Sequence, residues 1–110
     1  MIRPNKRLGQ NFLVNRGIVE KIIDASALTP TDTVLEIGPG HGALTFALAQ
    51  KAGNVIAIEK DKHLAKLLRA QLAEQNVENV EIIEGDILKF LVSSSTFQGL
   101  SYKVVANIPY

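Results

Sequence analysis

Cysteine is absent from the 110 residues, which excludes disulfides, thiolate metal sites and a cysteine nucleophile. No apolar run approaches the roughly 18 residues of a membrane-spanning helix, and Met1-Ile2-Arg3-Pro4-Asn5-Lys6-Arg7 lacks the apolar centre of a signal peptide. The expected location is therefore the cytoplasm, with no membrane partner. An excess of one charge is missing too: Lys plus Arg is 12, Asp plus Glu is 11, and the formal net charge is +1. Whole-chain charge thus announces no nucleic-acid partner, and any such surface must be local. Repeats and low-complexity tracts are also lacking, and the length sets one compact domain as the ceiling.

What is present is a globular balance, 46% hydrophobic and 21% charged. Arg3, Lys6, Arg7, Arg16 and Lys21 are opposed over their stretch only by Glu20, so positive charge gathers at the N-terminal end. A solvated leader is the plain reading of such a run, and a nucleic-acid contact is the functional one.

Beyond the leader, two periodicities alternate. Ile18, Ile22, Ile23 and Leu28 recur at helical spacing after Asn15, a good cap, which predicts a helix over Arg16–Ser26. Thr33–Ile37 reads as a short buried strand. Gly38-Pro39-Gly40-His41-Gly42 follows, then a helix over Ala43–Ala52 stopped by Gly53. Asn54–Glu59 is a second strand, and Leu64, Leu67, Leu68 and Leu72 mark one face of a helix starting near Asp61. Val80–Glu84 is a third strand, Ile87–Leu91 a helical turn or two, and Lys103–Asn107 a fourth strand. Strands separated by helical crossovers imply a parallel sheet, hence an α/β, doubly wound fold. Such sheets bind ligands beyond the carboxyl ends of their strands, where strand order reverses.

The glycines at 38, 40 and 42 stand between a strand and a helix, where absent side chains let the backbone turn tightly and approach a ligand. A nucleotide or nucleoside is implied, although an ordinary tight turn has the same composition and a dinucleotide loop the same glycine spacing. Glu36, two residues before Gly38, separates the nucleotides. A diphosphate would face its carboxylate, whereas S-adenosyl-L-methionine presents an ammonium and a sulfonium that a carboxylate attracts. Glu59 ends the second strand, 17 residues after Gly42, where a carboxylate accepts from two ribose hydroxyls. Asp86 after Gly85 suits an adenine amine, or a helix N-cap, or both. His41 and His63 are the only histidines; neither has a partner motif, and no metal is expected.

The chain closes on Asn107-Ile108-Pro109-Tyr110. The amine of adenine is a poor nucleophile because its lone pair is delocalised into the ring. Two acceptors set against its two hydrogens, the Asn107 side-chain oxygen and the carbonyl of Ile108 or Pro109, favour a tetrahedral nitrogen whose lone pair points at a methyl group. Proline biases Ile108 towards extended geometry, and Tyr110 offers a ring on which an extruded base stacks. A strand ending in a proline turn is the plain alternative.

Gly9-Gln10-Asn11-Phe12-Leu13, Glu36 through Thr45, Ile58-Glu59, Gly85-Asp86 and Asn107 through Tyr110 together, in that order, resemble the ribosomal RNA adenine N6-dimethyltransferases. The likeness covers almost the whole chain. It implies the N-terminal part of a Rossmann-like S-adenosylmethionine-dependent methyltransferase fold. It also implies cofactor contacts from Asn11 and Leu13 on the methionine side, from the backbone at Gly38, from Glu59 and Asp86, and from Asn107 where cofactor and target base meet. The implied partner is ribosomal RNA within a small ribosomal subunit particle, with two adjacent adenosines dimethylated. Gly9 before Gln10 and the run from Pro39 to Thr45 look more like the small-subunit enzymes, while the large-subunit enzymes that confer antibiotic resistance share Asn-Ile-Pro-Tyr.

Members of that family continue past this motif with further strands and a C-terminal helical domain. Residues 1–110 are accordingly expected to form a partial domain that binds cofactor but is catalytically incomplete. Two readings of other classes compete. A non-catalytic RNA-binding assembly factor would share the scaffold, and a nicotinamide-dependent oxidoreductase would keep the glycine turn and Glu59 but leave Glu36 and Asn107 through Tyr110 without a purpose.

Overall fold

In the computed structural model, residues 16–87, 89 and 102–106 are described. Helix α1 is Arg16–Ser26, strand β1 Thr33–Ile37, helix α2 Ala43–Lys51 and strand β2 Asn54–Glu59; helix α3 is Lys62–Glu74, strand β3 Val80–Glu84 and strand β4 Lys103–Ala106. The strands form one parallel sheet in the order β3-β2-β1-β4. Growth runs from β1 through β2 to β3, then β4 returns to the opposite flank of β1. That reversal puts the topological switch point between β1 and β4.

Parallel register shows which side chains share a face. Val34 lies beside Val55 and Lys103, Glu36 beside Ala57 and Val105, Val55 beside Val80, Ala57 beside Ile82, and Glu59 beside Glu84. All three described helices cover this one face. Val19 of α1 and Leu44 and Leu48 of α2 pack on Val34, Val55 and Val105. Ala65, Leu68 and Leu72 of α3 pack on Ala57 and Ile82. The opposite face carries Leu35, Ile37, Ile56, Ile58, Ile83 and Val104, so both faces are apolar, as in sheets buried on both sides. Val104, on the outermost strand of the described sheet, is 55% exposed.

Local chemistry explains the element ends and corrects three sequence expectations. Asp61 caps α3, accepting from the amides of His63 at 2.8 Å and Leu64 at 3.1 Å. Along α3 the buried stripe is Ala65, Leu68 and Leu72, whereas Leu67, expected on that face, is 45% exposed because it sits one residue and about 100° from Leu68. Helix α2 ends at Lys51, one residue earlier than expected, where Ala52 turns extended. Gly53 is not the stop signal: a Cβ there would lie 2.3 Å from the Pro30 carbonyl oxygen, so its need is close backbone approach. The fourth strand is described to Ala106, and Asn107, expected within it, lies outside the described residues. Ile87 and Lys89 are helical, as the turn predicted there requires.

Lys103 joins β4 to the end of α1. Its ammonium donates to the carbonyls of Ser26 at 2.9 Å and Ala27 at 2.8 Å and pairs with Asp32 at 3.1 Å. These are the carbonyls a helix leaves orphaned at its C-terminus. The Thr29 amide, followed by Lys103, holds the Asp32 carboxyl below its ordinary range. Among the described residues, no helix is long and apolar enough to cross a membrane.

Candidate functional site

The loop after β1 is built on left-handed backbone. Gly38, Gly40 and Gly42 have φ of 67°, 58° and 89°, a region that side chains make costly. Two of these glycines serve different ends. A Cβ on Gly42 would come within 2.5 Å of Leu68 Cδ1, so its hydrogen lets α2 and α3 pack together. A Cβ on Gly38 would meet nothing within 4 Å. The space beside Gly38 lies at the carboxyl end of β1, next to the switch point, where such sheets take their ligands. Helix α2 then starts at Gly42 with no side chain capping its first amides.

The end of β2 supports that loop. The Gly38 N–H donates to the Ile58 carbonyl at 2.9 Å, and the Gly40 N–H donates to Glu59 Oε1 at 3.0 Å. Glu59 Oε2 accepts from the Asp61 N–H at 2.9 Å. Its main-chain carbonyl accepts from the Gly85 N–H at 2.9 Å, which ties in the turn holding Asp86. Glu59 is only 7% exposed, and each carboxylate oxygen, with one described amide on it, can accept a second hydrogen bond such as that of a ligand hydroxyl.

Glu36 behaves differently from its sequence expectation. Rather than facing a ligand directly, it turns beneath α2 at 2% exposure, where its Oε1 accepts from the Thr45 hydroxyl at 2.5 Å. Burial, opposed by that hydrogen bond and assisted by the negative charge of Glu59, pushes its pKa up to about 7. A carboxyl in that range answers a nearby cation by giving up its proton, which is a weaker demand than holding a buried charge without a partner.

Glu36, Gly38, Gly40, Gly42, Glu59 and Asp86 therefore lie in or beside three successive strand-end loops, those after β1, β2 and β3. Asp86 is half-buried. His41 and His63 are exposed. Asn11, Leu13, Asn107, Ile108, Pro109 and Tyr110 lie outside the described residues. Sequence reasoning missed the role of Thr45, for which the signal was a lone hydroxyl in the otherwise apolar run Ala43-Leu44-Thr45-Phe46-Ala47-Leu48. It also missed Arg69, whose guanidinium reaches the Ile82 carbonyl at 2.9 Å and Glu84 at 3.1 Å and so ties α3 to the end of β3.

The profile of the family described as Ribosomal RNA adenine dimethylase matches residues 1–110. A curated relative, the Ribosomal RNA small subunit methyltransferase A of Alkaliphilus metalliredigens, is 45% identical over 111 residues, covering 98% of this chain and 38% of its own. The chain thus spans under two fifths of the length of that relative. Among solved structures, the 23S rRNA methyltransferase ErmE aligns with TM-score 0.74 at 34% identity, covering 87% of this chain and 36% of its own. An RNA methyltransferase from Salinibacter ruber, solved in complex with S-adenosyl-L-homocysteine, aligns with TM-score 0.62 at 26% identity over 67% of this chain and 50% of its own.

Proposed function

The chain belongs to the ribosomal RNA adenine dimethylase family, and on that premise we propose that it is the cofactor-binding part of an enzyme that transfers methyl groups from S-adenosyl-L-methionine to adenine N6 in small-subunit ribosomal RNA. The observation that carries this reading is Glu59, a nearly buried carboxylate set at the end of β2 with unused lone pairs on both oxygens, beside a glycine loop that leaves open space at Gly38. That is an acceptor for a ribose with two free hydroxyls, beside room for a ligand approaching the backbone closely. Asp86 on the next loop takes the adenine amine, and Asn11 and Leu13 hold the methionine side. Glu36 beneath the loop gives up its proton in answer to a cationic ligand, a response that a diphosphate does not draw.

The cofactor supplies an electrophilic methyl carbon on a positively charged sulfur. The protein's task is to make the adenine nitrogen nucleophilic. Asn107 and the carbonyl of Ile108 or Pro109 accept from the two amine hydrogens, which draws the nitrogen towards tetrahedral geometry, and Tyr110 stacks on the extruded base. No general base is needed before the methyl is taken, because the amine proton becomes acidic only once the fourth bond is made. The basic residues Arg3, Lys6 and Arg7 contribute phosphate contacts. An enzyme that acts on ribosomal subunits would work in the cytoplasm.

Small-subunit RNA is preferred over large-subunit RNA because small-subunit methyltransferases A from several organisms are 45–50% identical over nearly the whole of this chain. The test uses the full-length enzyme with separate under-methylated small subunits and large-subunit RNA. Methyl incorporation into the small subunit, reduced by orders of magnitude in Asn107→Ala, is the expected result. Incorporation into large-subunit RNA alone would transfer the chain to the other subfamily, and normal turnover by a folded Asn107→Ala protein would remove that residue from the chemistry.

A further inference from the structure

We propose that Glu59 is a positioning residue in addition to a ribose acceptor: its carboxylate holds the glycine loop in the shape that receives the cofactor, before any ligand arrives. The loop has a particular need for such a tether. Its three glycines carry no side chains to pack and have the widest backbone freedom of any residue, so left-handed φ values at 38, 40 and 42 persist only if something outside the loop fixes them. Pro39 is fully buried, and Gly42 is held by its own turn to the Pro39 carbonyl at 2.9 Å. Between them, Gly40 has its amide on Glu59 Oε1.

The other carboxylate oxygen is bound to the Asp61 amide, one residue ahead of α3. Glu59 therefore spans two loops with one rigid group, and its main chain fixes a third through Gly85. A carboxylate suits this because both of its oxygens accept; a carboxamide has one acceptor and one donor and leaves one of the two amides unpaired. In a site with 7% exposure, an unpaired amide opens to find water, and the loop opens with it. The ribose then meets an acceptor already oriented by the protein, which lowers the ordering cost of binding.

The proposal rests on the cofactor reading above for its binding measurement alone, since its second measurement needs no ligand. In the full-length enzyme carrying Glu59→Gln, amide hydrogen exchange without ligand is expected to quicken about tenfold or more at Gly40, at Asp61 or at both, while Gly85, held by the main-chain carbonyl, stays within about twofold. Affinity is then compared for S-adenosyl-L-homocysteine and for its 2′,3′-dideoxy analogue, which offers no ribose hydroxyls. A residue that acts only through the ribose would leave Glu59→Gln and the unsubstituted enzyme equal towards the analogue. A positioning residue leaves the variant about fivefold weaker or more towards that same analogue.

Unchanged exchange at both Gly40 and Asp61, or equal affinity for the analogue, would each overturn the proposal. Failure of the unsubstituted enzyme to bind S-adenosyl-L-homocysteine would instead strike the cofactor reading, with the exchange measurement still deciding whether the loop is held. If Glu59→Gln does not fold, Glu59→Asp keeps the charge but shortens the reach, and the same two-amide exchange pattern is expected of it.

Discussion

The carboxyl ends of β1 and β2 each carry a buried glutamate on the helix-covered face of the sheet, and their surroundings differ. Glu59 meets two backbone amides, one on each oxygen, while Glu36 lies under α2 with a single described partner, the Thr45 hydroxyl. Both are buried, at 7% and 2% exposure, and the number and kind of described donors they meet differ. Fixed backbone donors come from loops, and Glu59 stands where two loops converge. Glu36 lies in register with Ala57, two residues short of Glu59 along the sheet, where its described side-chain partner belongs to α2. The same residue type thus serves as a hydrogen-bonded platform in one place and as a proton-holding group in the other.

Stability against pH should break this comparison open most widely. The Glu36 carboxyl is raised from 4.5 to about 7 in the folded chain, so folding favours its protonated form. Its contribution is fully present below the unfolded value and is lost as pH rises through the folded one, at a cost on the order of 3 kcal/mol above about pH 7. Glu36→Gln keeps an acceptor for Thr45 and removes the charge. Denaturant unfolding should show it more stable than the unsubstituted protein by up to that amount near pH 8, with the gap closing towards pH 4. A constant gap across that range would mean that Glu36 is not the group responsible.

At the other strand end the effect should be on binding. Glu59→Ala removes both amide acceptors and the ribose acceptor together, and titration calorimetry should show cofactor affinity weakened by about 1–3 kcal/mol. An unchanged dissociation constant would remove Glu59 from the site. The smallest effect belongs to the third strand-end acid, Glu84, which is in register with Glu59 on β3 but pairs with Arg69 at the surface. Glu84→Gln should change stability by no more than about 0.5 kcal/mol in the same unfolding assay, because exposed ion pairs are screened and entropically costly. A loss above about 1 kcal/mol would show that strand-end position outweighs exposure.

Much of this fold is legible in the residues themselves. Apolar period and Gly/Pro punctuation mark α1 to α3 and β1 to β4 among the described residues, with α1 and the first three strands at their observed bounds, because burial and turn chemistry act locally. The errors lie where contacts are tertiary. Leu67 belongs to the helical pattern of leucines, but only the sheet decides which side of α3 is inside. Gly53 reads as a stop signal, while its requirement comes from the Pro30 carbonyl, 23 residues earlier in the chain. In the site, Glu59 is recognisable from its place after a β-rich run, and the glycines from their spacing. The depth of Glu36 is not recognisable, since two residues of distance from Gly38 along a strand say nothing of which face the side chain takes until α2 has folded over it.

The most direct test of the account is a calorimetric titration of the full-length enzyme with S-adenosyl-L-methionine and with NAD under the same conditions. Both ligands suit a glycine loop followed by a ribose acceptor, and only the first offers a cation that draws the proton off the carboxyl beneath that loop. Saturable binding of S-adenosyl-L-methionine and much weaker or undetectable binding of NAD are expected. Tighter binding of NAD would contradict the account.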